Sequence, residues 1–220
     1  MIRKLFISTM TLAATLSSSA QQRQTITLTD GWSFSRDNVS WTEVSVPHDW
    51  AIAGPFDKKW DLQFVAIEQN GEKEKTEKSG RSGALPWIGE GHYRTTVKLP
   101  KGYTRAILMI DGAMSQPTVT INGKKAGFWA YGYNAFNIDA TEYLNFDGSD
   151  NEIAVDLKNV EESSRWYPGG GLYRPVRLLL TGKCRFQLWE TFVRTVSVDA
   201  SKAVVSVSTK LLDHPKGTSV

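Results

Sequence analysis

A single cysteine, Cys184, stands in 220 residues. No internal disulfide can form, so the fold must rest on a hydrophobic core. Histidine is nearly as scarce, and His48, His92 and His214 lack the spacing of metal ligands. There is no Gly-Lys-Ser/Thr phosphate loop, no HExxH, no paired CxxC and no GxSxG. Motifs therefore assign no metal, no cofactor and no catalytic residue. Charge of one sign is also lacking. The formal net charge is +3, and removing Arg3 and Lys4 with a leader leaves 24 Lys+Arg against 23 Asp+Glu. Without a basic patch the chain is not expected to bind nucleic acid. Beyond the first twenty residues no run is long and apolar enough to span a membrane.

What is present begins with a leader pattern. Arg3 and Lys4 precede a short apolar stretch, Leu5 to Leu16, and Ser18-Ser19-Ala20 offers small residues for cleavage. This predicts a signal peptide over 1–20 and export to a periplasmic or extracellular space. The rest predicts an all-β protein. Short alternating or β-branched runs recur with turn residues between them, among them TITL, TEVSV, HYRTTVKL, AILMI, TVTI, AFNI, EIAVDL and VRLLL. Asn122-Gly123 after TVTI marks a tight hairpin turn. Many short strands at this spacing indicate a sandwich or barrel. One charged, polar segment, Ile67 to Gly83, is expected to be a long solvated loop.

A second boundary falls near Thr181-Gly182-Lys183, giving one β-domain over 21–182. Beyond it, residues 183–220 hold the first strands of another β-domain, too few to close a sandwich. The expectation is an N-terminal part of a longer protein.

Three stretches attract a functional reading. VPHDW, Val46 to Trp50, leaves a strand at Pro47 and puts His48, Asp49 and Trp50 on a connection. A His–Asp pair there could pin a loop, and Trp50 could cap the sandwich or wall a pocket. The run Phe128 to Tyr133 is an aromatic loop. Ring faces suit the C–H faces of sugars, and equally they could close the end of the core. SRWYPGGGLYR, Ser164 to Arg174, sets aromatics and three glycines between two strands. Plain turns rarely carry aromatics. Asn151-Glu152 follows a turn cluster and opens EIAVDL, so it is expected to be a strand start and not a catalytic pair.

Taken in order, GWSF, VPHDWAIAGPFD, GEGHYRTTVKLP, the run from Asp111 to Asp139, and SRWYPGGGLYRPVRL resemble the N-terminal sugar-binding domain of glycoside hydrolase family 2, in its Bacteroides β-galactosidase type. The resemblance implies a jelly-roll β-sandwich followed by the start of an immunoglobulin-like domain. It implies retaining hydrolysis by two glutamates on a downstream TIM barrel, none of which lies in this chain. Arg165, Trp166, Tyr167 and Asp49 are then the candidate substrate-binding residues. Arg165 would offer a fork of hydrogen bonds to sugar hydroxyls or a carboxylate. The implied partners are a carbohydrate and the barrel of the same protein; the oligomeric state stays open. A free-standing carbohydrate-binding module and a purely structural domain are the competing expectations.

Overall fold

The computed structural model describes residues 23–60, 62–66, 75–79, 86–160 and 169–216. The strands, in chain order, are β1 (Gln24–Thr27), β2 (Trp32–Ser35), β3 (Thr42–Val44), β4 (Leu62–Ala66), β5 (Lys75–Ser79), β6 (Glu90–Lys98), β7 (Arg105–Ile110) and β8 (Thr118–Ile121). They continue as β9 (Lys124–Phe128), β10 (Phe136–Asp139), β11 (Asp150–Lys158), β12 (Val176–Thr181), β13 (Arg185–Phe186), β14 (Phe192–Val198), β15 (Ala203–Ser208) and β16 (Leu211–Leu212). Among the described residues the one helical element is a short 3-10 turn, Lys58–Trp60. No described helix is long and apolar enough to cross a membrane.

Two antiparallel sheets form the main body, one ordered β1-β12-β7-β10 and one β3-β2-β6-β11-β8-β9. Period-2 alternation explains how they meet. Along β6, Gly91, Tyr93 and Thr95 turn inward, while Glu90, Arg94 and Thr96 face solvent. Along β11, Ile153, Val155 and Leu157 turn inward, while Glu152, Asp156 and Lys158 are exposed and Ala154 is half-buried. Leu108 and Ile110 of β7 and Leu178 and Leu180 of β12 supply the facing layer, all fully buried. Each such side chain contributes roughly 1.5–3 kcal/mol by leaving water. The core is aromatic toward the β2 edge: Trp32, Trp50 and Tyr93 are all fully buried.

Asn151 is buried at the start of β11. Its Oδ1 accepts from Asn122 Nδ2 (2.8 Å) and from Asn145 N (2.7 Å), and its Nδ2 donates to Asn145 O (3.0 Å). The Asn-Glu pair is a strand start, as expected. The solvated loop expected over Ile67 to Gly83 is corrected in part. Lys75–Ser79 is a strand, paired antiparallel with Leu62–Ala66 from Ser79↔Leu62 to Lys75↔Ala66. Backbone pairing supports a strand that lacks an apolar face, which hydrophobic patterning does not detect.

After β12 come two two-stranded ribbons, β13-β16 and β14-β15. Every residue of β14 and β15 is exposed. Their valines at 193, 196, 198, 204, 205 and 207 remain 43–69% exposed, so the described residues do not cover this hairpin. Asp213 accepts from Arg185 at 2.7 Å and lies 3.7 Å from Arg105 of β7.

Candidate functional site

The connection after β3 and the glycine run before β12 meet at one end of the sandwich. The backbone makes the first links: His48 N donates to Leu172 O (2.8 Å), and Trp50 N donates to Gly170 O (3.2 Å). The Asp49 side chain then closes the pair. Its Oδ1 accepts from Ala51 N (2.9 Å) and from Gly170 N (3.2 Å). One carboxylate oxygen thus ties its own turn to a residue 121 positions away. Charge-assisted bonds of this kind are stronger than neutral ones.

Behind this clamp the aromatic side chains leave room only for glycine. A Cβ on Gly170 would overlap the five-membered ring of Trp50, and one on Gly91 would overlap its six-membered ring. Gly171 has φ +103°, and a Cβ there would meet Tyr93 Oη and His48 O. Side chains at these positions would push the two loops apart. Phe34 stacks on Trp50 at 5.6 Å, and Trp87 meets it edge-on at 5.5 Å. The indole Nε1 of Trp50 is buried and meets no hydrogen-bond partner among the described residues.

His48 does not pair with Asp49. Its Nδ1 lies 2.7 Å from Tyr93 Oη. Burial, and secondarily the Arg36 charge, lower the His48 pKa, against an opposing pull from Asp49. The ring is therefore neutral at neutral pH. Burial likewise raises the Tyr93 phenol well above its ordinary range. Neither group is poised for proton transfer near pH 7. Arg36 reaches over from the end of β2, donating to Gly54 O and to Trp50 O (3.4 Å), with its guanidinium 4.9 Å from the Trp87 ring centroid. A cleft of about 380 Å³ opens here, lined by Phe34, Arg36, Asp37, His48, Trp50 and Ala53 among others.

The residues around Met114 adjoin the glycines on another side. Met114 and Gly171 exchange backbone hydrogen bonds, at 2.9 Å from Met114 N and 3.0 Å from Gly171 N. Gly132, in the loop from β9 to β10, packs on the Met114 thioether. Asn159 Nδ2 donates to Gly169 O (2.9 Å), holding the other side of the glycine run.

Of the sequence-predicted site residues, Asp49 sits at the centre of this junction. Arg165, Trp166 and Tyr167 lie outside the described residues, but both flanks of their loop, Asn159 and Gly169, are fixed within the junction. Trp50 is fully buried and caps the core. Arg36, Trp87 and Met114 were missed. Trp87 follows the charged segment in sequence, and its isolation as a lone tryptophan there was the available signal. Among the described residues no three His, Cys, Asp or Glu side chains converge as a metal group.

No family model matches the chain. A protein named beta-galactosidase BoGH2A, from Bacteroides ovatus, is 38% identical over 177 residues, covering 79% of this chain and 19% of that protein. Among solved structures, a glycosyl hydrolase family 2 member from Bacteroides cellulosilyticus superposes with TM-score 0.69 at 28% identity, over 86% of this chain and 24% of that one. A beta-glucuronidase from Bacteroides uniformis gives TM-score 0.64 at 26% identity, over 86% and 22%. The chain spans about a fifth of the length of the curated relatives it matches, at 19%, 17% and 23% of each. In sequence and in fold, this chain is similar to the N-terminal region of proteins described as glycoside hydrolase family 2 members.

Proposed function

We propose that this chain is the N-terminal, non-catalytic part of an exported retaining glycosidase that hydrolyses terminal β-galactosides. On this reading 1–20 is a cleaved leader, 21–182 the sugar-binding sandwich and 183–220 the opening of an immunoglobulin-like domain. Catalysis belongs to two carboxyl groups roughly 5–5.5 Å apart on a downstream barrel, one acid/base and one nucleophile. The role of this chain is to carry Arg165, Trp166 and Tyr167 to the barrel mouth. Arg165 donates its fork to a hydroxyl or carboxylate, and the two rings line the rim.

The observation that carries this proposal is the clamp at Asp49. Asp49 Oδ1 binds Gly170 N, and Asn159 Nδ2 binds Gly169 O, so the loop holding Arg165 leaves a rigid base. Rigid support is what a substrate-facing loop requires. Asp49 then acts on substrate by positioning that loop. The relative named as a beta-galactosidase supports the substrate class, and the beta-glucuronidase among the solved neighbours raises a β-glucuronide as the second candidate.

The test uses the full-length gene product with chromogenic β-galactoside and β-glucuronide. Hydrolysis of the galactoside is expected, with Arg165→Ala lowering kcat/KM at least tenfold and leaving the thermal midpoint near that of the parent. Turnover of the glucuronide alone would replace the substrate. Unchanged kcat/KM in Arg165→Ala would reduce the domain to a structural role, and hydrolysis of no β-glycoside would refute the proposal.

A further inference from the structure

We propose that Tyr131 and Tyr133, on the loop between β9 and β10, form a stacking platform for one pyranose of an extended, neutral glycan. The proposal deepens the function proposed above and rests on it, because it adds a sugar contact next to the glycine run at 169–171.

The rings are exposed by construction. Tyr131 is 55% exposed and Tyr133 47%, although both sit on a loop anchored at several points. Trp129 N donates to Pro117 O (3.0 Å), and the Trp129 ring stacks on buried Phe136 at 5.7 Å with an 8° tilt. At the tip, Gly132 O accepts from Tyr173 Oη at 2.8 Å. A Cβ on Gly132 would overlap the Met114 sulfur, so this residue is pressed into the sandwich. The two tyrosines on either side of Gly132 are thereby turned outward. Their centroids stand 5.5 Å apart with planes inclined by 58°, an open V of two ring faces. Such rings cover much area at little entropic expense, because the backbone beneath them is already fixed.

The surroundings select the ligand. Phe128 to Asn137, FWAYGYNAFN, contains no charged residue. Arg174 stands beside Tyr173, its guanidinium 5.4 Å from that ring centroid, and can donate to sugar hydroxyls. Asn134 and Asn137 are exposed and supply amide donors and acceptors. Aromatic faces with neutral amides match a pyranose, which offers an apolar C–H face and a rim of hydroxyls. The Tyr173 hydroxyl sits at the foot of the V, on Gly132 O; burial raises its pKa, the Arg174 charge opposes this, and the Tyr133 and Tyr131 phenols add to the rise. The platform is also continuous with the junction. Met114 packs on Gly132 and bridges to Gly171, leaving a single residue between the two loops.

The test compares the full-length gene product with its Tyr131→Ser/Tyr133→Ser double variant. Calorimetry uses β-linked galacto-, cello-, xylo- and mannotetraose, and kinetics use a nitrophenyl β-galactoside with whichever tetrasaccharide is cleaved. At least one tetrasaccharide should bind the parent, and the double variant should bind it about tenfold more weakly, as loss of two ring faces predicts. The loss of kcat/KM on the tetrasaccharide should exceed that on the nitrophenyl substrate by a similar factor. Flat titrations of the parent with all four sugars would overturn the platform. So would equal losses on both substrates, or a fall in thermal midpoint with unaltered affinity, which would mean that the rings pack against another part of the protein. If no β-glycoside is hydrolysed but tetrasaccharide binding still depends on the tyrosines, the platform stands and the glycosidase proposal fails.

Discussion

Replacing Gly170 with alanine tests the geometry of the junction directly. The backbone conformation at this position is open to any residue, so the effect is one of space alone. The added methyl would fall on the pyrrole side of Trp50, at Nε1, Cε2 and Cδ1. The indole has nowhere to retreat. Gly91 closes on its far ring, Phe34 stacks on its face, Trp87 meets its edge, and the side chain is fully buried. Overpacking of this kind costs about 1–3 kcal/mol, or about 2–4 °C of Tm per kcal/mol for a body of this size. Trp50→Phe removes the pyrrole atoms that the methyl would strike, so the double variant should recover part of that loss. The assay is urea unfolding of the parent, both single variants and the double variant. A coupling energy of at least ~1 kcal/mol is expected. Additive behaviour, or a Gly170→Ala variant within about 0.5 kcal/mol of the parent, would refute the close approach. Gly123→Ala is the counterpart: nothing lies within 4 Å, but φ is +76°, so its loss comes from backbone strain and Trp50→Phe should leave it unchanged.

Other perturbations probe the same junction. Asp49→Ala strands two backbone donors, Ala51 N and Gly170 N, and should cost about 1–3 kcal/mol by chemical denaturation, whereas Asp49→Asn, which keeps an acceptor oxygen, should cost less. His48 has a folded-state pKa below its unfolded value, so the unfolded chain takes up its proton first as pH falls. Its contribution is complete above the unfolded pKa of about 6.5 and is lost below it, with a slope of at most ~1.4 kcal/mol per pH unit. Urea midpoints between pH 7.5 and 5 should fall in the parent and fall less in His48→Gln; equal slopes would remove His48 from the account. Asn151→Ala leaves the Asn145 amide without its acceptor and takes from Asn122 Nδ2 one of two acceptors, the other being Tyr143 O, and should lower stability by about 1–3 kcal/mol while β6 and β8 keep their register.

What the sequence disclosed, and what it hid, divides along the range of the interactions. The run TVTI followed by Asn122-Gly123 is readable because strand alternation and a turn with positive φ at both residues, 50° and 76°, are local properties. HYRTTVKL and EIAVDL are readable for the same reason. GWSF stands out only as part of a resemblance, although Trp32 and Phe34 are buried in β2 between β3 and β6. Four residues after an Asp-Gly turn give alternation too little length to register. KKAGF, with two lysines and a glycine, becomes β9 because β8 offers it a backbone edge, across a bulge near Val119. The site divides the same way. Three glycines in a row announce that something approaches closely, but not what. The answers are Trp50 for Gly170 and the Tyr93 and His48 oxygens for Gly171, partners far away along the chain. The pairing of His48 with Tyr93 rather than its neighbour Asp49 is equally non-local, spanning 45 residues. Adjacent side chains on an extended connection point to opposite sides. That geometry turns His48 toward Tyr93 and the cleft and Asp49 toward the glycine loop, so a histidine and an aspartate side by side serve different partners.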